Sequence, residues 1–233
     1  MVLALVLIIA AYIIGSLPFG YWLAKAKGID ITKLGSGSTG ATNVYRCVGK
    51  KEGIFVMVLD FFKGYISVLI AMHFDKGAQA VEWTVLGMPH LVPVVVAIMS
   101  LVGHSKSIFL GFKGGKSAAT GLGTMVAFCP LLLPLTFGAF LTMVFTIRLV
   151  SLGSLVAAFV NVIFMWWLKN PEAYVIYAVI GCVYVWARHV SNIKRLLTGT
   201  EPRIALGKKP ATTVEKSAPT AKSKSKSKSE SEQ

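Results

Sequence analysis

The residues of this chain best suited to chemistry lie between Leu34 and Arg46, in the run LGSGSTGATNVYR. Gly35, Gly37 and Gly40 are interleaved with small hydroxyls, Ser36 among them, and the run closes on Asn43 and Arg46. Glycine accepts backbone angles that other residues resist, so such a loop can turn several N–H groups toward one anion while the arginine supplies a cation. That is the chemistry of a phosphate cradle. A second stretch, HSKSIFLGFKGGKS at 104–117, repeats it with Gly114, Gly115 and Lys116. Each loop leads into a helix, whose N-terminal N–H groups favour an anion. Either loop alone reads equally well as a solvated basic connector. Together they fit one phosphorylated substrate, or two.

Further candidates flank apolar runs. In RLVSLGS at 148–154, Ser151 and Ser154 share a helix face, which either packs against a neighbour or aims Ser154 into a cavity. In RHVSNIKR at 188–195, His189 and Asn192 fall one turn apart, as a substrate contact or proton handler beside two phosphate loops. Asp60 and Lys63 sit three apart within VMVLDFFKGY, a spacing that lets them pair and orient their helix. Charge at membrane depth is costly and faces the bundle interior or a wet cavity. His104 borders the second loop as a cap, while His73 and His90 fall at the opposite side.

Two familiar patterns fail on context. Residues 35–40 match GxGxxG with Asp60 downstream, but the loop joins two apolar spans rather than opening a βαβ unit, and Asp60 lies inside the second span. Residues 111–117 resemble a Walker A loop with one residue too few between the first glycine and the Gly-Lys pair, and without a preceding strand.

The elements that must hold these loops are hydrophobic. The 233 residues are 55% hydrophobic and 15% charged, with mean hydropathy +0.67, where a soluble domain carries about 25% charge. Apolar runs near membrane length recur at about 2–23, 53–74, 83–103, 117–129, 131–147, 152–168 and 173–187, the pattern of an all-α polytopic membrane protein with seven transmembrane helices. Lys and Arg crowd segments 24–51, 104–116, 148–151 and the C-terminal tail, and the other side holds only Lys76 and Lys169. The positive-inside rule then puts the N-terminus outside and the C-terminus, with both glycine loops, in the cytoplasm. The first run has no basic residue before Lys25, which argues against a cleaved signal peptide. The formal charge of +14 sits in connecting loops and the tail, so nucleic acid is not an expected partner. Cys47, Cys129 and Cys182 make no metal knot or disulfide framework. Residues 1–206 read as one membrane domain, and 207–233, ending KSKSKSKSESEQ, as a disordered Lys/Ser-rich tail.

GSGSTGATNVYR at 35–46, GH at 103–104 with GFKGGKSAAT at 111–120, RLVSLGS at 148–154 and RHVSNIKRLLTG at 188–199 resemble the cytoplasmic motifs of the PlsY family, and the likeness spans about residues 1–204. The resemblance implies a seven-helix enzyme of the bacterial inner membrane, with its active site facing the cytoplasm. It uses no metal, nucleotide or other cofactor, and moves a fatty acyl group from acyl phosphate to the sn-1 hydroxyl of glycerol 3-phosphate. Its partners are those two substrates, membrane lipid and an enzyme that makes the acyl phosphate. The family's contacts carry over to Ser36, Arg46, Lys116, Ser154, His189 and Asn192. This chain departs from the family pattern at Ser38, where Asn is usual, at Ser117, where Gly is usual, and at Val190, where a charge is common. Ser117 adds a Cβ where backbone would approach a phosphate.

The chemistry agrees with the residues. An acyl phosphate is already activated, so transfer needs phosphate neutralisation and alignment of a hydroxyl rather than an acyl-enzyme. No HxxxxD pair is present for a His-Asp base. The proton acceptor is His189 or a phosphate oxygen. A transporter of a phosphorylated solute is the rival from another class, weakened because the phosphate-type motifs share one face and no half-repeat with broken helices is visible.

Overall fold

The computed structural model describes residues 2–75 and 89–204. The described chain forms α1 (Val2–Ser16), α2 (Phe19–Ala26), α3 (Ala41–Cys47), α4 (Lys50–Asp75), α5 (Leu91–Ser105), α6 (Ala118–Phe128), α7 (Leu132–Thr146), α8 (Val150–Trp167), α9 (Glu172–Arg188) and α10 (Val190–Leu197). Among the described residues there is no strand, only an isolated bridge between Ser107 and Lys113.

Each expected apolar stretch carries a helix, but their lengths differ. Among the described residues three are long and apolar enough to cross a membrane: α1 with α2 taken together as Val2–Ala26, α4 and α8. A fourth is α9 joined to α10 through a 65° bend, while α5, α6 and α7 are shorter apolar helices. The start of the expected third span, from Trp83 to Met88, lies outside the described residues, and so does the 207–233 tail.

Local sequence accounts for the interruptions. Pro18 lacks an N–H and restricts Leu17, so the first span breaks between α1 and α2. The carbonyls freed there are satisfied from elsewhere. Leu17 accepts from Lys63 Nζ at 3.1 Å and Ser16 accepts from Ser107 Oγ at 2.6 Å. Segment 24–51, read as a single connecting loop, contains the helix α3, and the stretch after the last span contains α10. Both are too short to show a helical period in the sequence, and α3 ends where the N–H groups of Val48 and Gly49 return to the Val44 carbonyl.

Small residues bring the long helices together. On α1 and α5, a Cβ added to Gly15 would lie 2.4 Å from the Ser100 carbonyl and one on Gly103 2.3 Å from that of Tyr12. Gly64 and Gly123 bring α4 and α6 to the same backbone contact, with clashes of 2.3 Å to Thr120 and 2.0 Å to Phe61. In lipid, where apolar burial between helices gains little, such close approach is what packs them. One apolar core centred on Val68, Ala97, Leu132, Met165 and Tyr177 ties the bundle together, and a second, smaller cluster of Ala24, Ile31, Val44 and Val56 seats α3 against α2 and α4.

Candidate active site

The first glycine loop is organised from within by Asn43. Its side chain is buried, accepts the Ser36 N–H at 3.0 Å, and donates to the carbonyls of Ser38 at 2.9 Å and Leu34 at 3.0 Å. Gly35 and Gly37 take φ of +57° and +68°, and a Cβ on Gly35 would lie 2.3 Å from Asn43 Oδ1. Asn43 is therefore fully engaged in shaping the loop. Ser38, the departure from the family's Asn, accepts the Gly40 N–H at 3.3 Å.

The second loop packs on α5. Gly115 donates its N–H to the His104 carbonyl at 3.1 Å, and a Cβ on Gly114 would lie 2.3 Å from that oxygen. Ser117 stands at φ +61°, a left-handed position, fully buried, and its hydroxyl donates to the Leu101 carbonyl at 2.8 Å. The added side chain is thus committed to α5. The two loops meet: a Cβ on Gly40 would be 3.9 Å from Gly115 Cα.

Beyond the loops the cations gather. Lys116 Nζ donates to Asn192 Oδ1, and Asn192 Nδ2 donates to Glu201 Oε1 at 2.7 Å. Arg195 closes the chain on Glu201 Oε2 at 2.7 Å, and Arg46 reaches the Pro202 carbonyl at 2.9 Å. Burial lowers the Lys116 ammonium to about 8, with Arg195, Arg46 and Arg188 adding to the effect and Glu201 opposing it. Burial alone would raise the Glu201 carboxyl, but hydrogen bonds from Asn192 and Arg195 hold it below its ordinary value. His189, at the corner between α9 and α10, is drawn down to about 4 by burial and by nearby Lys116 and Arg188. Its Nδ1 lies 2.7 Å from the Val185 carbonyl, so the neutral ring donates there and leaves Nε2 as an acceptor.

These groups share one cavity of about 340 Å³. Ser36, Gly40, Asn43, Arg46, Lys116, Ser154, His189 and Asn192 all line it, with Ala118 and Ala119 from the first turn of α6. Gly37, Gly114 and Gly115 do not, and belong to the loops' supporting backbone. Ser154 lines the wall while its hydroxyl donates to the Val150 carbonyl at 3.0 Å. The cavity continues between α4, α7, α8 and α9 along Phe61, Phe62, Leu133, Phe137, Phe140 and Ala158, so a basic head opens into an apolar arm. Glu201 lines the head and was not anticipated. Its only signal was a lone carboxylate within the cationic run RHVSNIKRLLTGTEPR. Arg188, which donates to the Gly115 carbonyl at 3.4 Å, was seen only as part of a motif. The expected Asp60–Lys63 pair forms, at 2.9 Å.

The likeness to known proteins runs the length of this architecture. A family model described as Glycerol-3-phosphate acyltransferase matches residues 5–199. A glycerol-3-phosphate acyltransferase of Nostoc sp. (strain PCC 7120) is 45% identical over 218 residues, covering 91% of this chain and 95% of that protein. One from Synechococcus sp. (strain JA-3-3Ab) is 44% identical over 202 residues, covering 86% and 93%. The crystal structure of PlsY, an integral membrane glycerol 3-phosphate acyltransferase, in its glycerol 3-phosphate form superposes with a TM-score of 0.79 at 39% identity, over 87% of this chain and 96% of that one. Its lysophosphatidic acid form gives 0.76 at the same identity, over 87% and 95%. With the glycine loops, the cations of the head and the apolar arm inside the matched residues, this chain belongs to the PlsY family of integral membrane glycerol-3-phosphate acyltransferases.

Proposed function

We propose that this enzyme transfers a fatty acyl group from acyl phosphate to the sn-1 hydroxyl of glycerol 3-phosphate, releasing lysophosphatidate and phosphate. The observation that carries the reading is the single cavity in which Arg46, Lys116, His189 and Asn192 stand at one end and aromatic and aliphatic side chains at the other. Two phosphates need cations and an acyl chain needs an apolar slot. One space offers both. The related crystal structures, in glycerol 3-phosphate and lysophosphatidic acid forms, support the acceptor and the product.

Transfer is direct. The acceptor hydroxyl oxygen bonds to the acyl carbonyl carbon, the carbon–oxygen bond to phosphate breaks, and phosphate leaves with the electron pair. Arg46 and Lys116 neutralise the phosphates, and Asn192 holds the Lys116 ammonium in place. His189 Nε2 accepts a hydrogen bond from the hydroxyl and aligns it. In the free enzyme burial and the nearby cations keep His189 neutral, and a phosphate oxygen of the bound substrates, with a second pKa of about 6, takes the proton. The Lys and Arg asymmetry supports seven spans with an outside N-terminus, and a site opening to the cytoplasm of a bacterial inner membrane. An enzyme that makes acyl phosphate would then supply the donor. The test is purified protein in detergent with glycerol 3-phosphate and either palmitoyl phosphate or palmitoyl-CoA. Lysophosphatidate should form from the phosphate donor alone, and formation from the CoA donor alone would refute the assignment.

A further inference from the structure

Beneath the second loop lies a set of buried polar groups that the transfer step does not use. Asp60 and Lys63 face each other on α4 at 2.9 Å, their side chains only 4% and 3% exposed. Lys63 is also spent on the Leu17 carbonyl at the break in the first span. The buried His104 approaches the same carboxylate oxygen, its Nδ1 3.5 Å from Asp60 Oδ1 and without a hydrogen-bonding partner among the described residues. The opposite edge of the same ring abuts the loop, where a Cβ on Gly115 would fall 2.0 Å from His104 Nε2. Gly115 is further held by its N–H on the His104 carbonyl and by Arg188 on its own carbonyl. Lys116 is the next residue, and both Asp60 and His104 form part of the cavity wall.

We propose that Asp60 and His104 are positioning residues for the phosphate grip of the second loop. The carboxylate fixes the imidazole, the imidazole sets the height of the Gly115 peptide, and that peptide fixes where the Lys116 ammonium stands. Asp60 with Lys63 is a pair within α4, and the tie away from that helix is already supplied by Lys63 on the Leu17 carbonyl. The ring wedged between the carboxylate and the glycine adds a path from the middle of α4 to the anion site. The inference rests on the reading that the Lys116 loop grips a substrate phosphate.

The test uses the purified full chain in detergent, with KM for glycerol 3-phosphate and for palmitoyl phosphate, kcat and the thermal midpoint measured for each variant. Asp60→Asn with Lys63→Met removes both charges together, so neither is left buried alone. It should raise KM for a phosphate substrate about tenfold while kcat stays within about threefold, the signature of a displaced binding group. His104→Ala and Gly115→Ala should each raise the same KM. The two combined should be less impaired than Gly115→Ala alone, because the ring that the new Cβ strikes is gone. Unchanged KM in the charge-pair variant, with or without a lower thermal midpoint, overturns the proposal, as do His104→Ala and Gly115→Ala effects that simply multiply. If the charge-pair variant does not fold, the His104 and Gly115 cycle decides alone. Lys116→Ala separates the two layers. Wild-type KM there removes the phosphate reading itself, whereas a raised KM there beside unmoved positioning variants removes only this inference.

Discussion

Lys116 stands in the cavity wall with its ammonium on Asn192, and Glu201 follows along the same hydrogen-bonded chain. Its pKa of about 8 in the free enzyme lies below the ordinary lysine value. The cation is therefore present below pH 8 and lost above it, and kcat/KM for a phosphate substrate should fall as pH rises through about 8. Lys116→Arg keeps its charge across that range, so its profile should lose the alkaline limb even as its absolute kcat/KM drops about tenfold through altered geometry. An unchanged alkaline limb would assign it to another group. For His189, replacement by Ala should lower kcat about 10- to 100-fold through loss of hydroxyl alignment, yet keep the acid limb near pH 6, because the phosphate still takes the proton. Disappearance of that limb would make His189 the base. Near-wild-type turnover would remove it from the mechanism. At this scale the sequence was informative wherever chemistry is local. Arg46, Lys116, His189 and Asn192 stand within short motifs whose glycines and cations announce an anion. Glu201 was hidden because its role depends on the chain returning over the site after α10, which no spacing encodes.

The loops and helices carry those side chains, and Asn43 shows how. Its donors and acceptor are spent on Ser36, Leu34 and Ser38, so it acts on the site by giving the loop its shape. Asn43→Ala should lower stability by about 2–4 kcal/mol, at about 1 kcal/mol per hydrogen bond plus the groups left unpaired, and should raise KM more than it lowers kcat. The check is a thermal melt in detergent alongside steady-state kinetics, and a wild-type melt would contradict the loop's dependence on this residue. Helix positions were readable from apolar runs, because periodicity and length are strong signals. The break at Leu17-Pro18 and the short helices α3 and α10 were not. Each is too brief for a period, and Lys63 stabilises the break from a distant part of the chain. Ser117 teaches the same lesson: its Cβ threatened a phosphate contact on paper, but tertiary structure turns its hydroxyl onto Leu101.

Across the whole molecule the helices bring segments from residues 36 to 201 around one space, basic at its head and apolar along its arm. The convergence was inferred from repeated loop chemistry, and it is seen in the single cavity that both glycine loops, the start of α8 and the corner between α9 and α10 line together. Initial rates measured over a grid of glycerol 3-phosphate and palmitoyl phosphate concentrations test this joint occupancy most directly. Direct transfer within one cavity predicts intersecting double-reciprocal lines, the mark of a ternary complex. Parallel lines, with an acyl group trapped on the protein, would contradict it.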